Sequence, residues 1–438
     1  MTMQEDKIFE LIRKEEVRQR DTLMMIPSEN YAPKAVRSAQ GSMLSNKYSE
    51  GYSGRRYYQG NKYIDEIENL AIERAKKLFG IPHANVQPYS GSPANSAVLF
   101  ALLNPKDTIM GMQLSSGGHL THGQPDITFS GKYFRSVQFG VYEKGLLDYE
   151  KIGMLAKIQK PKLLIIGTTA YPLALNWKRF AEIANAVRAW LVADVSHVAG
   201  LIVAGSYPSP VPFAHIVTTT THKTLRGPRG AIVMVTNKGL KKDGELGKLI
   251  DKAVFPGLQG GPHDNQTAAI AVALGEALKP SFKTYDKQVI KNAQTLAREL
   301  IKGGLTLIGE GTECHLILVD LRPQFLSGNV VAEALEIAGI VVNRNSVPND
   351  TMPPYYPSGI RLGTPAITTR GMREGQMKQI AGWICEIIEH VSAYKLPGRV
   401  EARPKFIKAF KDKIAEDKLL LDIASEVEIL CKKFPIKI

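Results

Sequence analysis

Hydrophobic residues along this chain follow two spacings, which together predict an alternation of helices and strands. Helical spacing predicts one helix over residues 5–20 and another from about Asn61 to Phe79, ended by Gly80. Further helices are predicted at Ala94–Leu103, Phe180–Trp190, Ala268–Leu278, Val289–Ile301, Val330–Ala338 and Met372–Val391. Short apolar runs predict strands at Leu163–Ile166, Leu191–Ala193, Ile216–Thr220, Ala231–Val235, Leu316–Leu321 and Ile340–Val342. Continuously apolar strands between helices favour an α/β fold, with a mainly parallel mixed sheet covered by helices on both faces.

The chain of 438 residues is too long for one small hydrophobic core, so more than one domain is expected. We predict an N-terminal helical arm at residues 1–20, a large domain at 21–278 and a smaller α+β domain at 279–438. We place the boundary between the two larger domains at the end of the alanine-rich helix, just before Lys279 and Pro280.

Composition is ordinary for a globular protein, with 44% hydrophobic and 22% charged residues. The longest apolar runs, such as Leu163–Ile166, are far shorter than the roughly 20 residues of a membrane helix. Five acidic residues before Arg20 fit neither a secretory signal nor a transit peptide. The three cysteines, Cys314, Cys385 and Cys431, lie too far apart in sequence to suggest a disulfide framework or a metal site. A cytoplasmic location is therefore expected.

The formal net charge of +14 allows a nucleic-acid-binding function. The basic residues are dispersed, however, and the densest group, at Arg403–Lys413, has the spacing of a solvated helix face. An anionic cofactor or substrate, or adaptation to the cell interior, explains the charge equally well. No dedicated nucleic-acid site and no membrane association are expected.

One lysine follows a predicted buried strand directly. Residues Thr218–Leu225 carry a threonine run into His222 and Lys223, and a glycine- and proline-containing turn leads to the next strand. A lysine that is partly desolvated near other cations becomes a usable amine nucleophile. The alternative is an ordinary surface lysine.

Two further segments could bind an anion and a cationic ring beside this lysine. Ser90–Pro93 precedes a helix, with Ser92 predicted as its N-cap, so free amides and hydroxyls would face an anion. Asp194 ends a predicted parallel strand and His197 follows it, at the edge where such sheets bind ligands. A pyridoxal phosphate (PLP) enzyme needs this combination of amine, carboxylate and phosphate site. An ordinary helix cap and a structural hydrogen bond remain the alternatives.

Arg361 and two histidines are the other candidates for chemistry. Arg361 lies among small and apolar residues and could bind a carboxylate, or form a salt bridge within the protein. His119 and His122 lie in a glycine-rich loop without an acidic or thiol neighbour in sequence, so no metal site is predicted. Ring stacking or hydrogen bonding suits them better.

Ordered motifs over nearly the whole length resemble the serine hydroxymethyltransferase family of fold-type I PLP enzymes. These motifs are Ile26–Tyr31, Asn46–Tyr52, Arg55–Tyr58, Asn85–Ser92, Gly117–Gly123, Asp194–Leu201, Thr218–Gly230, Phe255–Pro262 and Asn345–Asp350. The resemblance implies reversible transfer of the serine hydroxymethyl carbon to tetrahydrofolate, or a related tetrahydropterin, through a PLP Schiff base, leaving glycine. It also implies a place in one-carbon metabolism and amino-acid biosynthesis.

The resemblance further implies the roles of individual residues. Lys223 would form the Schiff base, Asp194 would pair with the pyridine nitrogen, His119 would stack on the ring and His197 would lie near the ring oxygen. The implied phosphate site and further cofactor contacts are Ser90, Gly91, Ser92, His222, Thr169, Tyr48, Gly257 and Gly261. The implied catalytic residues are Lys223, Glu50, His222 and Asp194, with Glu50 in proton transfer.

Substrate and subunit contacts are implied in the same way. The implied serine site comprises Ser28, Tyr58, His197 and Arg361. The implied folate contacts are Leu114, Gly118, Leu120 and Asn345. Tyr48, Tyr58 and the turn at residues 257–261 resemble groups supplied by a neighbouring subunit, so a homodimer with shared active sites is expected.

Two departures from the family pattern are visible. Arg226 is bulkier than the alanine often found at its position, and Tyr355–Pro357 differs from the usual ending of its motif. These departures bear on the fine shape of the folate pocket. Another enzyme of the same fold, such as a threonine aldolase or an aminotransferase, is the alternative function.

Overall fold

Helices and strands alternate through residues 6–142 and 145–436, the parts of the chain that the computed structural model describes. The helices are α1 Lys7–Asp21, α2 Lys34–Gln40, α3 Lys62–Phe79, α4 Gly91–Leu102, α5 Phe129–Tyr133, α6 Tyr149–Gln159, α7 Trp177–Ala186, α8 Ala199–Val203, α9 Asn237–Lys242, α10 Leu246–Lys252, α11 Asp264–Ala277, α12 Pro280–Lys302, α13 Gly328–Ile337, α14 Pro365–Thr369, α15 Glu374–His390, α16 Arg403–Ile414 and α17 Lys418–Lys433.

The strands are short. They are β1 Leu23–Met24, β2 Gly51–Tyr52, β3 Arg55–Arg56, β4 His83–Asn85, β5 Thr108–Met112, β6 Arg135–Phe139, β7 Leu163–Gly167, β8 Trp190–Asp194, β9 Ile216–Thr220, β10 Ala231–Val235, β11 Thr306–Leu307, β12 Leu316–Asp320, β13 Ile340–Val341, β14 Asn343–Asn345 and β15 Gly359–Gly363.

The chain forms two compact units, a large unit of residues 32–287 and a small unit of residues 1–31 with 288–438. In the large unit, the described residues form a seven-stranded sheet in the order β4-β10-β9-β8-β7-β5-β6. Five strands, from β9 to β6, run parallel, and β10 runs antiparallel to both of its neighbours. The prediction of a mainly parallel mixed sheet is therefore confirmed.

The central strands of this sheet are buried on both faces. All residues of β7, β9 and β10 are buried. Leu163, Ile165 and Val192 share one hydrophobic cluster with residues of α4 and α10. This continuous burial explains why the strands are readable as unbroken apolar runs.

The small unit is built on a four-stranded antiparallel sheet in the order β11-β12-β15-β14. Its largest hydrophobic cluster joins this sheet to helices α12, α13, α15, α16 and α17. The sheet holds Arg361 on β15 opposite Leu318 on β12 and Asn343 on β14.

The units do not follow the predicted boundaries at residues 20 and 278. β1 pairs in parallel with β13, and the buried side chains of Leu23 and Met25 lie in the core of the small unit. The N-terminal segment therefore belongs to the small unit, because its apolar residues are buried there. Residues 1–5 of the predicted arm, 143–144 of the large domain and 437–438 of the small domain lie outside the described residues.

The ends of the elements agree with the predictions in some places and differ in others. α3 ends as predicted at Gly80, whose left-handed φ of 69° suits glycine. The predicted helix Phe180–Trp190 is wrong at its end, because α7 stops at Ala186 and Trp190 begins β8. In the described residues, no helix combines the length and apolar character needed to cross a membrane.

Candidate active site

The carboxyl ends of β8 and β9 lie side by side in the large unit. These strands run parallel, with Asp194, the last residue of β8, paired with Thr218. β9 continues into residues 221–230, which return as antiparallel β10 with Thr220 opposite Ala231. Asp194 and the turn that carries Lys223 therefore start from the same edge of the sheet.

Asp194 is buried and accepts hydrogen bonds on both carboxylate oxygens. Oδ1 accepts from the amide and the hydroxyl of Ser196 at 3.1 and 2.6 Å. Oδ2 accepts from Nδ2 of Asn95 at 2.8 Å and from Nε2 of His122 at 3.0 Å. Asn95 is fixed in turn by the hydroxyl of Thr218, which donates to its Oδ1 at 2.7 Å.

These bonds keep Asp194 ionised. Burial alone would raise the pKa of Asp194, but the hydrogen bond and charge of His122, together with the hydrogen bond from Ser196, hold that pKa far below its usual value. A carboxylate that stays negative inside the protein suits a cationic partner, such as a protonated ring nitrogen.

His119 is held as a neutral ring beside this carboxylate. Its Nδ1 accepts from the amide of Thr121 at 3.2 Å and lies 2.7 Å from the Thr121 hydroxyl. Burial, followed by the charge of His122, lowers the pKa of His119 to about 4. Because Nδ1 accepts a hydrogen bond, the proton of the neutral ring lies on Nε2.

The N-terminus of α4 lies against β9. The N-cap is Ser90 and the helix begins at Gly91, so the prediction that Ser92 is the N-cap is wrong by two residues. A Cβ at Gly91 would come within 2.7 Å of Cγ2 of Thr220, so only glycine fits this contact. The first turn, including Ser92, therefore presents backbone amides close to the edge where Asp194 lies.

The turn around Lys223 is fixed by backbone hydrogen bonds. The amide of Thr221 donates to the carbonyl of Gly230 at 3.1 Å, and the amide of Gly227 donates to the carbonyl of Thr221 at 2.7 Å. The hydroxyl of Thr224 donates to the carbonyl of His197 at 3.0 Å. Lys223 is thus half-buried in a rigid turn next to the segment that follows Asp194.

His222 has an unusual environment in this turn. Its Nε2 lies 3.3 Å from Nη1 of Arg229, while its buried Nδ1 has no hydrogen-bond partner among the described residues. Burial, followed by the charges of Arg229 and Lys223, lowers the pKa of His222 to about 3. A neutral imidazole between two cations, with one nitrogen unsatisfied, suits an anionic ligand.

The two segments that follow β7 and β5 carry Thr169 and the predicted folate contacts of the large unit. The hydroxyl of Thr169 donates to the carbonyl of Gly118 at 2.9 Å, and its amide donates to the carbonyl of Gly117 at 2.7 Å. Leu114 and Leu120, predicted to contact folate, lie with Gly117 and Gly118 in the segment after β5 and are 39% and 43% exposed. Such exposed leucines are available to an apolar ligand.

A second group of predicted residues forms its own cluster in the large unit. The rings of Tyr48 and Tyr58 are 5.3 Å apart. A Cβ at Gly261 would lie 3.6 Å from Cε1 of Tyr48 and 3.7 Å from Cγ of Glu50. Gly257 lies apart from these contacts and packs on Phe100. Tyr48 and Tyr58 are 60% and 44% exposed, which leaves them available to another molecule.

The remaining candidates lie in the small unit. Arg361 donates from Nε to Oδ1 of Asn343 at 3.0 Å, and burial lowers its pKa to about 10, so the guanidinium remains charged at neutral pH. Ser28 is half-buried, and Asn345 donates from Nδ2 to the carbonyl of Ser346.

His119 and His122 have no acidic neighbour in sequence, but the fold brings Asp194 next to them. One ligand atom from each of His119, His122 and Asp194 lies within 4.8 Å of the others, which is close enough to hold a metal ion. The sequence could not show this, because 72 residues separate His122 from Asp194. We still predict no metal, since the His122–Asp194 hydrogen bond already uses these atoms.

Sequence reasoning missed the residues that hold Asp194. For His122 the sequence predicts ring stacking or hydrogen bonding without naming Asp194 as its partner, and it assigns no role to Asn95. The available signal was Asn95 itself, a buried polar residue on the otherwise apolar face of α4 formed by Ala94, Ala97 and Val98.

Comparison with known proteins identifies the family. The family described as Serine hydroxymethyltransferase matches residues 1–384. A protein named Serine hydroxymethyltransferase from Acidothermus cellulolyticus is 54% identical over 393 residues, covering 90% of each chain. Relatives with the same name from Desulfotalea psychrophila and Paracoccus denitrificans are 51% and 50% identical, covering 99% and 98% of this chain and 95% of each relative. The resemblance predicted from the motifs is confirmed: the chain belongs to the serine hydroxymethyltransferase family, and its α/β fold is that of the fold-type I PLP enzymes.

Proposed function

We propose that this enzyme reversibly transfers the hydroxymethyl carbon of serine to tetrahydrofolate, producing glycine, with PLP bound at Lys223. One observation carries the assignment of the site: an ionised, buried Asp194, the Lys223 turn and the N-terminus of α4 all lie at one edge of the sheet. Family membership supports the reaction.

The chemistry of the residues present fits PLP. Asp194 offers a buried negative charge for the pyridine nitrogen, and the orphaned Nδ1 of His222 and the amides of α4 offer donors for a phosphate. When bound, PLP supplies an electron-withdrawing ring that stabilises negative charge on the α-carbon of the substrate.

The side chains of the large unit divide the work on the cofactor. Lys223 provides the amine for covalent attachment, and Asp194 holds the proton of the ring nitrogen in place. The neutral ring of His119 would stack on the ring of the cofactor, and His197 would contact its ring oxygen. Ser90, Gly91, Ser92, His222 and Thr169 bind the phosphate end, with Tyr48, Gly257 and Gly261 as further cofactor contacts.

The substrates are bound by other candidates. Arg361 and Ser28 bind the carboxylate of serine, assisted by Tyr58 and His197. Leu114, Gly118, Leu120 and Asn345 bind tetrahydrofolate, and a related tetrahydropterin could take its place. Glu50 moves the proton of the serine hydroxyl.

The alternative functions have no support from the comparisons. The relatives from all three species are named serine hydroxymethyltransferase, and none is named a threonine aldolase or an aminotransferase. A cytoplasmic location remains a prediction, supported by three cysteines that are thiols rather than disulfides.

The absorbance spectrum of the purified protein tests the function. With PLP and glycine present, addition of tetrahydrofolate should produce a new long-wavelength visible band, and serine with tetrahydrofolate should yield glycine. Products with allo-threonine and with a keto acid provide the comparison. Turnover of serine that is independent of tetrahydrofolate, or amino transfer to the keto acid, would overturn the proposal.

Shared sites in a homodimer predict a specific complementation result. Glu50→Gln should slow folate-dependent turnover about a hundredfold or more, because proton transfer is lost. Chains carrying Lys223→Ala, mixed and reassembled with Glu50→Gln chains, should recover about a quarter of wild-type activity. Half of such dimers are mixed, and each mixed dimer has one intact site.

The controls are the two variant homodimers taken separately through the same reassembly. If the mixture is no more active than they are, each site is built from a single chain. If Glu50→Gln alone retains full folate-dependent turnover, Glu50 is structural. The exposed Tyr48 and Tyr58 support the shared arrangement.

Arg361→Ala should weaken serine binding about ten- to hundredfold. The variant loses a charge-assisted hydrogen bond to the substrate carboxylate, which contributes roughly 1.5–3 kcal/mol. Serine affinity can be measured by spectral titration of the PLP-loaded enzyme. Arg344→Ala is the matched control, since Arg344 is the neighbouring exposed arginine on β14. Equal serine affinity in wild type and Arg361→Ala would place the carboxylate elsewhere.

A further inference from the structure

Arg226 lies three residues after Lys223, and its backbone is left-handed. Its φ is 55°, a region that an arginine rarely adopts. Its amide donates to the carbonyl of Lys223 at 3.1 Å and closes the turn that begins at the lysine. The conformation of Arg226 and the direction of the Lys223 backbone are therefore linked.

The side chain of Arg226 reaches the first turns of α12. Its guanidinium carbon lies 4.1 Å from the ring centroid of Tyr285 and 5.4 Å from that of Phe282. Contacts of this kind hold a cation against the faces of aromatic rings. The Nε atom is buried and has no hydrogen-bond partner among the described residues.

Asp286 lies on the same face of α12, four residues after Phe282. It is fully buried, and among the described residues neither of its carboxylate oxygens has a hydrogen-bond partner. Burial raises its pKa well above the usual value, and the charge of Arg226 opposes that rise. A buried carboxyl without hydrogen bonds is costly, so a nearby cation matters more here than on the surface.

We propose that Arg226 is a positioning residue that fixes the Lys223 turn, with its guanidinium held against the rings of Phe282 and Tyr285. This inference rests on the proposed role of Lys223 as the PLP-binding lysine. Arg226 is the residue that is larger than the alanine often found at this position in the family. Its contacts with Phe282 and Tyr285 give the larger side chain a structural role.

The test is PLP binding to the cofactor-free protein, followed by absorbance titration. Arg226→Ala should weaken PLP affinity about tenfold and shift the absorbance maximum of the bound cofactor, with the KM for serine changed less than kcat. Arg226→Gly removes the side chain but accepts a left-handed φ freely, so it separates the side chain from the backbone. We expect it to weaken PLP binding as well, and Arg226→Lys to restore part of the loss.

A control variant at a second left-handed arginine sharpens the result. Arg188→Ala is the matched control, because Arg188 is an exposed arginine with a similar φ of 58°, and its PLP affinity should equal that of the wild type.

Opposite outcomes separate this inference from the proposed function. If the wild type binds PLP and both Arg226→Ala and Arg226→Gly match its affinity and spectrum, Arg226 does not position Lys223. The same holds if these variants only lower the unfolding temperature of the cofactor-free protein. If the wild type binds no PLP, the proposed function fails first.

Discussion

Lys223→Ala should abolish covalent attachment of PLP and reduce serine turnover about a thousandfold or more. The amine is the only group proposed to bond the cofactor, and loss of a covalent catalyst removes most of the rate. Borohydride reduction followed by mass analysis of the peptide containing residue 223 measures the attachment. The wild-type peptide should gain the mass of the reduced cofactor, and the variant peptide should not.

Lys238→Ala is the matched control for this experiment. Lys238 is also partly buried in the large unit, where its Nζ donates to the carbonyl of Phe213 at 2.7 Å, and burial lowers its pKa. Lys238→Ala should therefore leave the covalent attachment of PLP to Lys223 unchanged, because a lowered pKa alone does not make a lysine the attachment site. A reduced cofactor that still appears on Lys223→Ala, at another residue, would overturn the assignment.

Asp194→Asn should reduce kcat about a hundred- to thousandfold while the protein still folds. The amide preserves the shape of the side chain but cannot carry the negative charge that the ring nitrogen requires, and one preorganised electrostatic contact contributes about this much. In the wild type the hydrogen bonds of Asp194 hold its pKa far below the usual value. The carboxylate therefore remains charged through the neutral pH range, and its titration should not appear in the pH profile there.

Asp320→Asn provides the comparison. Asp320 is likewise a buried aspartate at the end of a strand, but it pairs with Arg322 in the small unit. Its substitution should alter stability and leave kcat near that of the wild type. If Asp194→Asn retains wild-type kcat and an unchanged cofactor spectrum, Asp194 is structural.

The sequence predicted those parts of the fold in which local pattern and burial agree. β9 and β10 begin and end where their apolar runs do, since every residue in them is buried. β5 and β6 were missed, because β5 contains a glycine and the exposed Arg135 begins β6. The membership of residues 1–31 in the small unit depends on the pairing of β1 with β13, which local sequence cannot reveal.

Residues of the candidate site could be predicted where they lie at or just after the end of a recognisable strand. Asp194 and Lys223 were both recognisable as strand-end residues, and the motifs supplied the family. The groups that support Asp194 come from distant segments, with Asn95 on α4 and His122 in a loop, so their proximity is a product of topology. The N-cap was misplaced because Ser90 and Ser92 are equally good caps by residue type, and backbone conformation decides between them.

Because β10 runs antiparallel to β9, the connection that carries Lys223 is short, and this limits how the amine of Lys223 can move. Residues 221–230 connect β9 to β10, and the two strands are paired up to Thr220 and Ala231. Backbone hydrogen bonds within this connection, from Thr221 to Gly230 and from Gly227 to Thr221, hold it together. These hydrogen bonds hold the backbone around Lys223 in one conformation. Any movement of the amine must therefore come from rotation about the bonds of the lysine side chain, because the backbone of the turn is fixed.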